Sequence, residues 1–187
     1  AATISCTPEQ AKQAHEAGQQ ARDTAKATGA PVATKFFTPH EHATVAMLAD
    51  MIIPRDDRSG SASEAGGPEF MDYILTEYPD RQNAIRGGLA WLDHECDKRF
   101  SAQFVRVGEP ERRSLLDEIA WPKKAKPELS QGVAFFNRFR DFTASGFFSS
   151  KMGVEDLRYI GNTVVPEWNG CPPEALDKLG VSYKGYA

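Results

Sequence analysis

Four histidines, three cysteines and several adjacent carboxylates are the side chains through which this sequence could do chemistry. Spacing decides what each can reach. His40 and His42 are two residues apart in a helical stretch, about 200° apart around the axis, so they cannot share a metal as ligands at i and i+4 would. They read as ordinary first-turn residues. His94 and Cys96 repeat that spacing, and Cys96 falls on an apolar stripe, where a free thiol behaves as a small hydrophobe. The acidic run Asp56-Asp57-Arg58-Ser59-Gly60-Ser61 faintly resembles a calcium loop, yet its glycine and terminal glutamate miss the required offsets. Asp117-Glu118 and Glu155-Asp156 are neighbours on solvated helical faces, which makes them surface charge rather than an acid–base pair. Gly-x-Gly-x-x-Gly, the phosphate loop, Gly-x-Ser-x-Gly and Cys-x-x-Cys-His are all absent from the sequence. No catalytic, cofactor-binding or metal-ligating residue is assigned in this chain.

What remains is a concentration of Pro166, Trp168, Cys171, Pro172 and Pro173 within eight residues near the C-terminus. Proline lowers the entropy lost when an extended segment is immobilised, and tryptophan is enriched at binding hot spots. The combination suits a strap laid across a partner. It equally suits a tail that returns so that Trp168 seals the domain's own core. A second candidate is the stretch 55–67, made only of small and charged side chains with three glycines, since long loops inside compact domains usually bind something or are disordered. Arg55, Asp56 and Asp57 in that loop, with Trp168, Asn169, Cys171 and Pro172 in the tail, are the candidate partner-binding residues. The alternatives are a ligand pocket of the chain's own, using the loop with Trp91, Trp121 or His94, and a domain that self-associates through its aromatic tail.

These residues must be positioned by helices. Thr38 can cap, Pro39 fits the first helical position and Glu41 completes a capping box, so a helix starts there and runs to about residue 53. Val45, Leu48, Ala49 and Ile52 form its buried stripe, and Pro54 ends it. A second helix begins near Pro68 with Phe70, Met71, Ile74 and Leu75, and a third spans about 80–100 with Ile85, Leu89, Leu92, Cys96 and Phe100 at three- and four-residue steps. A fourth covers 110–120, with Leu115, Leu116 and Ile119, and Trp121-Pro122 stops it. The basic loop 123–127 follows. The helix over 129–145 carries Val133, Phe135, Phe136, Phe139 and Phe142, a stripe wide enough for the core, with Gly146 as its expected C-cap. A short helix over 154–160 leads into the tail. Phe104-Val105-Arg106-Val107 is the one short strand candidate. The expected fold is all-α, a single compact domain of five to six helices over 36–163, preceded by a polar arm at 1–35 and followed by an extended tail at 164–187. The arm holds almost no large apolar side chain, so it is expected to lie as a solvated helix or against a partner.

At 187 residues and 41% hydrophobic content, one core of ordinary size is expected. The net charge of −4 and the lack of a long Lys/Arg block argue against nucleic acid as partner. No apolar run approaches the roughly 18 residues of a membrane span. Cys6, Cys96 and Cys171 are an odd number, so at least one is unpaired within the chain. Ala1-Ala2 without a methionine is the expected look of a chain processed after a signal ending in small residues.

Phe37-Thr38-Pro39-His40-Glu41, Ala49-Asp50-Met51-Ile52-Ile53-Pro54, Gly88-Leu89-Ala90-Trp91-Leu92-Asp93, Gly146-Phe147-Phe148-Ser149-Ser150, Gly161-Asn162 and Pro166-Glu167-Trp168-Asn169-Gly170-Cys171 together resemble the gluconate 2-dehydrogenase subunit 3 family over about 36–180. Its members are small, or gamma, subunits of membrane-associated flavin dehydrogenases that oxidise sugars and sugar acids. The resemblance implies a large FAD-containing partner of the glucose-methanol-choline type, often with a multihaem cytochrome c as third subunit. It implies no catalytic residue in this chain, because the flavin and its histidine belong to the large subunit. It also implies twin-arginine export of the folded pair and a periplasmic or membrane-associated location. Cys171, on a tail rather than a helical stripe, is the candidate for an intersubunit disulfide.

Overall fold

The computed structural model describes residues 7–159, 161, 164, 166, 167 and 169–183. Among them are eight α-helices, one 3₁₀ turn at Pro127–Leu129 and no strand, so the fold is all-α. The helices are α1 (Pro8–Thr28), α2 (Pro39–Ile52), α3 (Gly67–Glu77), α4 (Pro79–Phe100), α5 (Glu109–Ile119), α6 (Ser130–Phe148), α7 (Lys151–Asp156) and α8 (Pro173–Leu179).

Helix α6 is the axis of the domain, touching α2, α3, α4, α5 and α7. Its buried Gly132, Phe135, Phe139, Phe142 and Gly146 recur at three- and four-residue steps, and the buried Phe147 adjoins the last of them. Such a stripe can face the core along the whole helix. Phe139, Phe142 and Phe147 are buried almost completely, together with Phe70 and Phe104. Each stabilises the domain by about 2–3 kcal/mol relative to exposure.

The sharpest local expectation is met at α2. The Thr38 hydroxyl accepts the Glu41 N–H, and the Glu41 carboxylate accepts the Thr38 N–H. Such a cap is worth about 1 kcal/mol. Phe104 to Val107, the strand candidate, is instead a turn, with Phe104 fully buried.

Four elements differ from the sequence reading. The segment read as an arm carries α1, opened by its own capping box at Thr7 and Gln10, and α1 seats on α3. Small residues make this contact: Ala11, Ala14 and Gly18 are buried, and a Cβ at position 18 would stand 2.8 Å from the Glu69 Cβ. Close approach of two backbones substitutes here for large apolar side chains. Gly146 does not cap α6, which continues to Phe148; a Cβ there would meet the Phe70 ring at 3.0 Å, so the glycine admits α3. The last helix of the domain, α7, starts at Lys151, where the Ser150 hydroxyl accepts the Gly153 N–H. The tail contains α8, which buries no residue.

The loop 55–67 is ordered against the domain. Ala62 is fully buried. Its N–H bonds the Ile53 carbonyl at 3.0 Å and its carbonyl accepts the Gly67 N–H at 2.9 Å. Asp50 accepts the Ser63 N–H at 2.7 Å and the Ser63 hydroxyl at 2.6 Å. On the other side of α3, the buried Asp72 carboxylate accepts the N–H groups of Lys35, Phe36 and Phe37 at 2.8, 3.0 and 2.9 Å. That carboxylate fixes the connection between α1 and α2, so both helices pack on α3.

Candidate functional site

The C-terminal end of α6 gathers the loop 55–67, α7 and the middle of α1. Arg55 pairs with Glu64, which also accepts the Ser61 N–H at 2.7 Å. Arg55 and then Ser61 hold the Glu64 carboxyl below its ordinary range. Asp56 accepts the N–H groups of Ser59 and Arg58 at 2.8 and 2.9 Å, and these bonds lower its pKa as well. Both carboxylates stay charged, one closing a turn and one a side-chain pair. Asp57 is exposed. Arg58 reaches across to α7, where its guanidinium meets the Asp156 carboxylate at 2.9 Å and its carbonyl at 2.5 Å. The loop is therefore tethered to the helix from which the tail departs.

An apolar strip lies beside this tether. Phe148, Val154, Leu157 and Tyr159 are all exposed, Leu157 to 56% and Tyr159 to 67%. Phe147 and Phe148 are adjacent in one helix, hence about 100° apart, and cannot both face the core. Phe147 takes the core at 1% exposure and Phe148 faces outward at 41%. Exposed apolar side chains continue along the tail in Val164, Leu179, Val181 and Tyr183. Exposed large apolar side chains concentrated in one short stretch of chain mark interaction sites more often than those scattered singly over a surface.

The tail residues singled out from sequence are only partly brought into this end. Trp168 and Cys6 lie outside the described residues. Asn169, Cys171 and Pro172 are exposed. The Cys171 N–H donates to the Tyr183 hydroxyl at 2.9 Å, a contact internal to the tail. Among the described residues none of the three is bonded to Arg55, Asp56 or Asp57. Of the thiols, Cys171 is exposed, whereas Cys96 is buried on α4 and pushed up to about 11 by burial, with Asp93 adding to the shift. Cys96 is thus a protonated core side chain at neutral pH.

A cleft of about 490 Å³ opens between α1, the loop and α7, lined by His15, Arg22, Glu64, Lys151, Met152 and Glu155 among others. His15 stacks on Phe70 at 5.0 Å and lies 2.9 Å from the Ser149 hydroxyl. That hydroxyl already donates to the Ser145 carbonyl at 2.6 Å, so it accepts from His15 and is not activated by it. Burial, then Arg22, lowers the His15 pKa, leaving a neutral ring. The neighbouring Ser150 hydroxyl donates to the Phe147 carbonyl at 2.6 Å and accepts the Gly153 N–H at 3.0 Å. These groups hold helix ends together and form a mixed-charge rim rather than a nucleophile and its base.

The histidines read as ordinary first-turn residues each find a carboxylate on another helix. His40 Nε2 stands 2.5 Å from Asp93 on α4, and Asp93 also accepts the Phe104 N–H at 2.9 Å. His42 faces Glu69 on α3 at 3.4 Å. Their spacing on α2 indicated that the two rings diverge; the partners, 27 and 53 residues away, carried no local signal. Trp91, Trp121 and His94 do not meet the 55–67 loop around a common pocket. Trp91 fills the notch at Gly132, Trp121 is 62% exposed, and His94 lines a separate cleft with Asp97 and Arg106.

Among the described residues no helix is long and apolar enough to cross a membrane. The family model described as "Gluconate 2-dehydrogenase subunit 3" matches residues 39–166, more than half of the chain. No curated protein and no solved structure matches it. The matched stretch runs from the first residue of α2 past the end of α7, taking in Asp93, the tether and the apolar strip. Helix α1 and the Trp168-Asn169-Gly170-Cys171 segment fall outside it.

Proposed function

The chain belongs to the gluconate 2-dehydrogenase subunit 3 family, and from that membership we propose that it is a non-catalytic small subunit that stabilises a large FAD-dependent dehydrogenase and escorts it through twin-arginine export. The observation that carries the reading is the exposed strip of Phe148, Val154, Leu157 and Tyr159 beside a loop held rigid by Arg58 and Asp156. Aromatic and aliphatic anchors on a pre-ordered surface bind with little ordering cost. The partner is a flavoprotein of the glucose-methanol-choline type acting on a sugar, sugar acid or glycoside, with a multihaem cytochrome c as a third component on the extracytoplasmic side. The exposed Cys171 supports a disulfide to that partner, since a thiol on a projecting tail can approach a second chain.

The test is retention of the large subunit by the tagged chain in its native source. A yellow, FAD-containing protein should be retained, and Leu157→Glu with Tyr159→Glu should reduce retention at least about tenfold, the effect of losing one hot-spot anchor. Thermal stability should be unchanged, because both side chains are exposed. On denaturing gels without reductant the two chains should migrate together, and separately after thiol treatment or with Cys171→Ser. Retention of no flavoprotein would sink the proposal.

A further inference from the structure

The charged and aromatic residues of the 121–127 turn take no part in the surface described so far. Trp121-Pro122-Lys123-Lys124-Ala125-Lys126-Pro127 joins α5 to the 3₁₀ turn before α6. It is an ordered projection: the N–H groups of Lys124 and Ala125 both bond the Trp121 carbonyl, at 2.8 and 3.0 Å, and prolines bound it on both sides. Trp121 is 62% exposed, although tryptophan is the largest apolar side chain the protein has to hide. Lys124 lies 5.7 Å from the indole ring centre. Among the described residues none of the three lysines forms an ion pair. The acids nearest in sequence are Glu118, already paired with Arg99 at 2.6 Å, and the exposed Asp117 and Glu128 on either side of the turn. The turn itself is purely cationic in a chain whose net charge is −4.

We propose that this turn is a peripheral contact for an anionic lipid surface. An exposed indole that opens a hydrogen-bonded turn, with one ammonium group 5.7 Å from its ring and two more within five residues, matches the interface of a bilayer, where tryptophan sits at headgroup level and lysines meet lipid phosphates. Helix α6 separates the turn from the apolar strip by its own length, 19 residues or about 28 Å. One end of the chain can therefore bind a protein while the other rests on lipid. Each lysine close to an anionic surface multiplies partitioning by about fivefold. Three of them with one indole make a weak, reversible contact, weaker than a single acyl chain with a basic patch.

The inference is tested on the purified full chain, independently of any partner subunit. Sedimentation with vesicles containing about one third phosphatidylglycerol should carry the protein down and shift its tryptophan emission to the blue, at low salt and not at about 1 M, where the Debye length is about 3 Å. Vesicles of phosphatidylcholine alone should not. Lys123→Gln/Lys124→Gln/Lys126→Gln should lower partitioning at least about tenfold, and Trp121→Ala should abolish the blue shift, both with unchanged melting temperature. Equal binding to both vesicle types, or wild-type binding by the triple variant, overturns the proposal. So does an absence of binding to the anionic vesicles at low salt.

Discussion

The Glu95 carboxylate lies on the buried side of α4, where an unpaired charge would be strongly destabilising. Arg99 offsets this from one turn further along, at 2.7 Å, and bridges to Glu118 of α5 at 2.6 Å. The Arg99 bond is the main reason the Glu95 pKa lies below its ordinary 4.5, against the opposing push of burial. A depressed folded-state value means that the unfolded chain takes up the proton first. The stability it contributes is complete above pH 4.5, then declines as pH falls and is gone once the pH has passed the folded-state value. The gap in melting temperature between wild type and Glu95→Gln should thus be widest at neutral pH and close in acid. A gap of constant size from pH 7 to about pH 3 would show that Glu95 acts through packing alone. Glu95 and Arg99 are four apart on one helix, a spacing that brings opposite charges together.

Between elements, α4 and α6 are joined by a reciprocal arrangement of glycine and aromatic ring. A Cβ at Gly88 of α4 would stand 1.9 Å from the Phe135 ring of α6, and one at Gly132 of α6 would stand 2.2 Å from the Trp91 ring of α4. Each helix thus supplies one notch and one knob. Gly88 and Trp91 both lie in the stretch Gly88-Leu89-Ala90-Trp91-Leu92-Asp93 that carried part of the family resemblance. Gly87 has open space around it and faces solvent. Gly87→Ala should therefore stabilise by up to about 1 kcal/mol through helix propensity, whereas Gly88→Ala should destabilise by about 1–3 kcal/mol through overpacking. Denaturant midpoints of the two variants should move in opposite directions; a shared direction would contradict the assigned helix faces.

For the molecule as a whole, α1 decides how much of α3 is core. Phe70 is fully buried between His15 of α1 and Phe142 of α6, with ring centres 5.0 and 6.0 Å away. Removing residues 1–29 should cost about 2–3 kcal/mol, the scale of re-exposing one phenylalanine. It should lower the melting temperature by roughly 5–10 °C at this chain length. The truncated protein should also bind a hydrophobic dye. An unchanged melting temperature, with fast amide exchange along α1 in the full chain, would return the segment to the role of an arm.

What the sequence determined by itself was local: the all-α class, the Thr38 capping box, the starts of α3 to α5 within a residue or two, and the aromatic face of α6. Those features are written in neighbours three and four residues apart, and the family resemblance rests on the same stretches. Tertiary structure alone decided that Ala11, Ala14 and Gly18 seat a helix, that Gly146 continues one, and that His40 finds Asp93. It also decided that Phe148, Leu157 and Tyr159 share an open surface with a tethered loop. A small residue carries no sign of what will approach it, and an apolar one carries no sign of whether its own chain will cover it. Both depend on contacts between segments far apart in sequence, which exist only once the chain has folded.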